Sequence, residues 1–248
     1  MGLFLVMILI QICCVVHLIR NNRNSLWLWA IILLPIAGSA AYVVVEVLPG
    51  LAQRREVRAA KAAAIRKLDP DRELRAAREA IETTDTAANR TALADALADK
   101  GDWGDAVLHY RAALAKMPAG DRTAQLKLAR ALLESGDATA ARRQLETLPE
   151  SGSQTENDRA GLLLARALQA CGDNEKALAL YADVGRRLAG AEAQCRQAAL
   201  LIEQGREGEA LPLLEETARR AKKIDRFERA HDGEMYDWAA RTLAELKN

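Results

Sequence analysis

The chain has 248 residues and a nearly balanced charge, with 35 Lys and Arg against 34 Asp and Glu. Residues 1–67 carry a net charge of about +6 and the remainder about −5, and an acidic C-terminal part argues against nucleic-acid binding. Its four cysteines form no C-x-x-C pair, and the sequence shows no phosphate loop or catalytic triad pattern, so we expect no metal, no cofactor and no catalysis.

Two apolar runs open the chain, Leu3–Ile19 and Leu26–Val45. Each approaches the ~20 residues that a helix needs to cross about 30 Å of hydrocarbon. The start lacks the basic residues and the A-x-A-like site of a cleaved signal peptide. Gln11 and His17 interrupt the first run, and we expect them to form hydrogen bonds between the helices. The sequence therefore predicts a two-helix transmembrane module over residues 1–50.

The second run carries Trp27, Trp29, Pro35, Gly38 and Tyr42 after an Arg/Asn-rich turn. This pattern resembles the N-terminal membrane module of cardiolipin synthases and related phospholipase D proteins. None of the three histidines begins the His-x-Lys motif that phospholipase D chemistry needs. The resemblance therefore implies an anchor, in a membrane-attached bacterial protein, without the enzyme.

A basic stretch follows the second apolar run. Its excess of positive charge favours a cytoplasmic C-terminal domain, so we expect a two-pass protein of the inner (plasma) membrane with both termini in the cytoplasm. The same residues either contact anionic lipid headgroups or only determine topology, and these two roles are compatible. The residues predicted to contact headgroups are Arg54, Arg55, Arg58 and Lys61.

Residues 51–83 are rich in alanine and charge, and we predict a charged juxtamembrane helical linker there. Beyond it, four glycines stand about 33 to 36 residues apart, and each lies five residues before an alanine. Such a period is typical of solenoids of paired helices, in which glycine ends the first helix and alanine permits close packing. The glycine and alanine pairs are Gly101 with Ala106, Gly136 with Ala141, Gly172 with Ala177, and Gly205 with Ala210.

Repeat one shows the full motif, with Leu93, Ala94 and Leu97 before Gly101 and Tyr110 after it. The motif resembles the tetratricopeptide repeat, and the resemblance covers residues 87–224. It implies an all-α solenoid of about four helix pairs over residues 84–224. In repeat two, Pro149 comes early and should shorten the second helix.

Residues 225–248 should form a C-terminal capping helix, because a solenoid end needs a cover with a polar outer face. Met235, Tyr236 and Trp238 stand at helical spacing on this segment. For Trp238, two roles stay open: packing within the cap or contact with a partner.

In the tetratricopeptide family, ligands contact the first helix of each pair, on the face away from the second helix. Carried over by register, Asp95 and Asp99 lie on this face in repeat one, where an aspartate replaces the asparagine of the chaperone-tail clamp and disfavours that ligand. Arg130 and Arg166 occupy equivalent positions and should lie side by side, either facing a carboxylate of the partner or simply solvated. The predicted partner-binding residues are Leu126, Arg130, Leu133, Glu134, Arg159, Leu162, Arg166, Gln169 and Ile202.

These features favour a membrane-anchored scaffold whose cytoplasmic solenoid binds a protein partner through its concave face, without catalysis. The alternative is a lipid-associated regulator that acts through the transmembrane module on phospholipid or on a lipid-synthesising enzyme. Self-association through the repeats is a third possibility. The identity of the protein partner does not follow from the sequence.

Overall fold

The computed structural model describes residues 2–20, 26–47, 68–117 and 121–247. These residues form thirteen α-helices and one π-helix. The chain divides into an N-terminal unit, Met1–Arg72, and a C-terminal unit, Glu73–Asn248, which are described separately. The N-terminal unit contains α1 Gly2–Arg20, α2 Leu26–Leu33, α3 Pro35–Tyr42 and the π-helix Val43–Val47.

Polar side chains tie the helices of the N-terminal unit together. Gln11 Nε2 on α1 donates a hydrogen bond to the Ile31 carbonyl oxygen on α2, at 3.1 Å. His17 Nδ1 lies 2.9 Å from the hydroxyl of Tyr42. The Tyr42 side chain is fully buried and makes a T-shaped contact with the Trp27 ring. The prediction that Gln11 and His17 form hydrogen bonds between helices is confirmed.

The transmembrane hairpin predicted for residues 1–50 is wrong, and so is the two-pass location in an inner membrane. Among the helices of the described residues, none has the length and apolarity that a membrane crossing requires. The backbone leaves the helical conformation at Leu34 (φ −125°, ψ 78°), immediately before Pro35. This break divides the second apolar run into two helices of eight residues each, which span about 12 Å apiece.

The basic residues predicted to contact lipid headgroups are not tested by the structure. Arg54, Arg55, Arg58 and Lys61 lie outside the described residues.

The C-terminal unit is a chain of helices in which, after the first, each helix packs on the next. A leading helix is followed by four helix pairs, called repeats one to four, and by a final helix. Repeats one to four are α5–α6, α7–α8, α9–α10 and α11–α12. The helices are α4 Arg72–Thr83, α5 Ala87–Asp99, α6 Trp103–Ala115, α7 Arg122–Glu134, α8 Ala138–Glu146, α9 Gln154–Ala170, α10 Asn174–Gly185, α11 Glu192–Glu203, α12 Glu207–Ala221 and α13 Arg226–Leu246.

The turn inside each pair is made by a glycine with positive φ, as the sequence predicts. Gly101 has φ +82°, and the following amide, that of Asp102, donates to the Leu97 carbonyl oxygen at 3.0 Å. This bond satisfies a carbonyl group at the end of the first helix. The same bond recurs after the other three turn glycines, Gly136, Gly172 and Gly205.

The small residue that follows each turn belongs to the core of the array. Ala106, Ala141, Ala177 and Ala210 are all fully buried. In repeats one and three the space four residues further on is filled by tyrosine, and in repeats two and four by leucine. The early Pro149 has the predicted effect, because α8 is the shortest second helix, with nine residues.

The final helix α13 packs on α12 and α11. Tyr236 and Ala239 are fully buried against the second half of the array. At the other end of α13, the Asp225 side chain accepts a hydrogen bond from the Glu228 amide, at 2.7 Å, and caps the helix. This arrangement leaves part of Trp238 and Met235 exposed beside α11.

Candidate partner-binding site

A polar cleft of about 570 Å³ opens at the junction of repeats one and two. Its walls come from α5, α6 and α7, so neither repeat could form it alone. We call it the Trp103–Arg130 cleft. It is lined by Asp95, Ala98, Asp99, Trp103, Tyr110, Lys127 and Arg130.

One side of the cleft is a fixed hydrogen-bond network around Asp95. The Tyr110 hydroxyl donates to one carboxylate oxygen at 2.6 Å, and Lys127 Nζ donates to the other at 2.7 Å. Burial, together with this hydrogen bond to the carboxylate, raises the pKa of Tyr110, so the phenol remains a donor over the whole physiological range. Asp95 is therefore held in place and has its charge balanced by Lys127.

The cleft also contains one positively and one negatively charged side chain that are not paired within the protein among the described residues, those of Arg130 and Asp99. The Arg130 guanidinium lies over the Trp103 ring, 5.9 Å from its centroid. Among the described residues, neither Arg130 nor Asp99 takes part in a hydrogen bond or an ion pair of the side chain. The stacked guanidinium can therefore offer its N–H donors to a ligand.

Arg166 stands at the equivalent position one repeat later, but its charge is already balanced. Its Nη2 donates to Glu134 Oε1 at 2.8 Å, and both side chains are largely covered, at 19% and 30% exposure. Glu134 corresponds by register to Asp99, since each lies two residues before a turn glycine. The aspartate is one methylene shorter, and among the described residues it forms no ion pair with Arg130.

Most of the other predicted contact residues also pack within the fold. Gln169 accepts a hydrogen bond from the Tyr181 hydroxyl at 2.9 Å, and burial raises the pKa of Tyr181 to about 12. Arg159 is exposed near the start of α9. The apolar residues are half-buried and pack against the two hydrophobic cores; they are Leu126, Leu133, Leu162 and Ile202.

Three residues of the cleft were not predicted from the sequence to belong to the site: Trp103, Tyr110 and Lys127. Trp103 and Tyr110 come from α6, the second helix of its pair, and family register points only to first helices. A tryptophan directly after a Gly-Asp turn was the available signal, and in the structure Trp103 contacts Arg130 of the next repeat. In chemical terms, the site joins an aromatic surface to opposite charges and can recognise a charged side chain.

Comparison with known families agrees with this architecture. A tetratricopeptide repeat model matches residues 97–157. This segment contains a tetratricopeptide repeat. It covers the end of α5, all of α6, α7 and α8, and the first residues of α9, and so includes Trp103, Arg130 and Glu134.

The family match does not extend to residues 1–50. The resemblance of that region to the cardiolipin synthase module therefore stays a prediction from its sequence pattern. No curated protein matches the chain.

Proposed function

We propose that this protein is a non-catalytic scaffold that binds a partner protein on the face formed by the first helices of its repeats. Tetratricopeptide repeats generally mediate contacts between proteins. The observation that carries the proposal is the Trp103–Arg130 cleft, whose lining residues other than Asp95 lie within the matched segment. Two of its charged side chains, Arg130 and Asp99, form no side-chain hydrogen bond or ion pair among the described residues.

The central contact in this proposal is a carboxylate of the partner at Arg130. A guanidinium stacked on a tryptophan ring loses little freedom when it binds, and its planar donor set matches a carboxylate. Asp99, close by, favours a basic group as the neighbour of that carboxylate. The half-buried leucines Leu126 and Leu133 supply apolar surface on the same helix.

The remaining predicted residues contribute to partner binding to different extents in this proposal. Arg166 and Glu134 face the partner as a neutral pair, and Gln169 contributes through its amide nitrogen. Arg159, Leu162 and Ile202 extend the contact surface toward repeat four. We expect most of the binding energy to come from the cleft, because a few desolvated residues dominate typical interfaces.

Site-specific photo-crosslinking in native cells tests this proposal. A benzophenone amino acid replaces Ala92, which is exposed on α5 one turn before Asp95. The matched control places it at Leu108, which is 61% exposed on the second helix α6. We expect one discrete partner to be captured from position 92 and not from position 108.

The same capture is then repeated in the Arg130→Glu background. Loss of the adduct with an unchanged thermal unfolding curve supports the cleft as the recognition site. Equal capture in the variant, or equal capture from position 108, would show that the first-helix face at repeats one and two does not carry the interaction.

A second candidate function, contact with phospholipid, is favoured by the apolar surface of the N-terminal unit. Large hydrophobic side chains that are at least half exposed are concentrated there, and exposed patches of this kind mark interaction surfaces. In this candidate the unit contacts lipid through its side chains, without a helix that crosses the bilayer. The exposed residues are Leu9, Ile12, Val16, Ile19, Leu26, Trp29, Ile32, Leu33, Leu34, Ile36, Val44 and Val45.

Vesicle flotation separates this candidate from the first. We expect the full chain to float with vesicles of phosphatidylglycerol and cardiolipin, and the double variant Ile32→Asp/Ile36→Asp to float less. The control is Leu108→Asp, which changes an exposed leucine of the C-terminal unit. If the control and the double variant float equally, the apolar surface has another role.

A further inference from the structure

A second cavity, of about 280 Å³, lies between α11 and α13 at the opposite end of the array from the Trp103–Arg130 cleft. We call it the Trp238 groove. It is lined by Cys195, Arg196, Ala199, Glu234, Met235 and Trp238.

The groove exists because a small residue replaces a large one on the first-helix face. Ala199 stands six residues before a turn glycine, the position that Arg130 and Arg166 occupy in earlier repeats. The final helix does not fill the space that remains, since Met235 and Trp238 contribute only part of their surfaces to the core. The result is a depression with apolar walls.

The floor of the groove is also uncharged. Cys195 is buried, and its thiol donates a long hydrogen bond to the Met235 carbonyl oxygen at 3.5 Å. Burial raises the pKa of Cys195 to about 12, so the sulfur is a neutral thiol at physiological pH. A partner group that enters the groove therefore meets aliphatic, aromatic and sulfur surface.

The rim of the groove carries a net negative charge. Arg196 Nε is paired with Glu192 Oε1 at 2.7 Å, which balances the positive group. Glu234, in contrast, has no hydrogen bond or ion pair of its side chain within the part of the chain that the structure describes, and it is exposed. The sequence from residue 68 onward is itself acidic, at about −5, so complementarity requires a basic neighbour for whatever fills the groove.

We propose that the Trp238 groove binds a basic segment of a partner protein, which inserts one apolar side chain between Ala199 and Trp238 and places a Lys or Arg against Glu234. An apolar anchor with a charge beside it is a common way in which a helix or strand is recognised in a groove. This site is separate from the Trp103–Arg130 cleft and does not depend on it.

Selection from a displayed library of random twelve-residue peptides on the immobilised full chain tests the inference. We expect the enriched peptides to share one large apolar residue with a Lys or Arg within about one helical turn. The same selection on Glu234→Lys should favour Asp or Glu in place of the basic residue. Glu245→Lys is the matched control, since Glu245 is exposed on the same helix and should leave the wild-type preference unchanged.

A synthetic peptide with the enriched sequence provides the quantitative arm. Ala199→Phe fills the groove and should weaken its binding at least tenfold, whereas Leu108→Ala, at an exposed position on α6, should leave it unchanged. Thermal unfolding shows whether Ala199→Phe is folded, and Ala199→Val serves as a milder variant with an intermediate loss expected. Failure of the Arg130 crosslinking experiment does not affect this result.

Four outcomes would overturn the inference. The enriched peptides could lack the apolar and basic pair, or the charge preference could fail to invert in Glu234→Lys. The peptide could bind Ala199→Phe as tightly as the wild type. Finally, sedimentation of the full chain could show a dimer that Ala199→Phe dissociates, in which case a second copy of the chain covers the groove.

Discussion

The junction between repeats one and two and the junction between repeats two and three are built from equivalent positions but differ in what they leave open. At the first junction, the Arg130 guanidinium lies over the Trp103 ring, and Asp99 forms no side-chain hydrogen bond or ion pair among the described residues. At the second, Glu134 closes on Arg166 at 2.8 Å. The two junctions differ by one methylene group, in Asp99 against Glu134, and by the presence of Trp103. The first junction leaves charged groups that can accept a ligand, whereas at the second the charges pair with each other. Register in a repeat protein thus locates a side chain without determining whether it is available.

The largest expected effect comes from removing Arg187, which forms an ion pair with a buried carboxylate in the second half of the array. Asp158 is buried, and Arg187 donates to it at 2.7 Å and also to Asp183. Arg187→Met leaves the buried carboxylate without its cation, so we expect Tm to fall by roughly 5 °C or more. Arg130→Met is the matched control and should change Tm by less than about 2 °C, because no ion pair is broken. Equal falls in Tm in the two variants would contradict the distinction between arginines that are paired with a carboxylate and arginines that are not.

Acid should remove the same interaction in the wild type. Hydrogen bonding to Arg187 lowers the pKa of Asp183 from 3.8 to about 2 and also lowers that of Asp158. A carboxyl group whose pKa is depressed by folding stabilises the protein above its unfolded value, and this contribution is lost as the pH falls through the folded value. Unfolding curves recorded from pH 6 to pH 2 should show a constant gap between wild type and Arg187→Met above about pH 5. The gap should narrow between about pH 4 and pH 2, and a constant gap down to pH 2 would count against this assignment.

The next effect compares two tyrosines at equivalent positions. Tyr110 donates to the charged Asp95, whereas Tyr181 donates to the neutral Gln169. Because hydrogen bonds to charged groups are stronger, Tyr110→Phe should lower the free energy of unfolding by about 1.5 kcal/mol and Tyr181→Phe by about 1 kcal/mol. Urea denaturation of both variants measures the difference, and a larger loss for Tyr181→Phe would break the comparison.

The affinity for the partner should depend more strongly on Arg130 than on Arg166. Arg130→Gln removes the proposed bidentate contact with a carboxylate and should weaken binding of the crosslinked partner about tenfold, as expected for a charge-assisted contact. Arg166→Gln should change the affinity by less than about threefold, since Arg166 is held by Glu134. Titration calorimetry with the purified partner gives both values. Similar losses from the two variants would show that the pair at Arg166 opens on binding.

The smallest and most specific effect tests the missing methylene. Asp99→Glu should allow this carboxylate to reach Arg130, as Glu134 reaches Arg166, and so close the cleft. We expect a loss of about threefold in affinity, with stability unchanged within about 0.5 kcal/mol. The reverse change, Glu134→Asp, should release Arg166 and leave binding at Arg130 intact. An unchanged affinity for Asp99→Glu would remove side-chain length as the explanation.

Local features of the repeats could be predicted because each has a direct backbone or packing cause. Gly101 ends a helix through its positive φ, Ala106 permits contact between helices, and Pro149 shortens α8. The break at Leu34 escaped prediction because an estimate of hydrophobic length counts side chains and ignores the constraint that proline places on the residue before it. That error led to the transmembrane hairpin.

The candidate site was only partly accessible from sequence for a related reason. Register placed Arg130 and Arg166 on one face, but the state of each depends on contacts across a junction. Trp103 reaches Arg130 from the preceding repeat, and the pairing of Arg166 depends on the length of Glu134. Distances of a few ångströms between repeats are not encoded in the spacing within one repeat.

The turn that ends each first helix makes the array divisible. Gly101 and Gly136 are each followed by aspartate, so excision of residues 102–136 joins Gly101 to Asp137 and restores the same turn. In the shortened protein, Arg166 follows directly on a repeat that ends in Asp99 and has lost Glu134. Arg166, which is paired with Glu134 in the natural chain, would then lack this partner. The pairing therefore depends on which repeats are neighbours. Shuffling whole repeats can therefore create or erase a binding site by changing which residues meet across a junction.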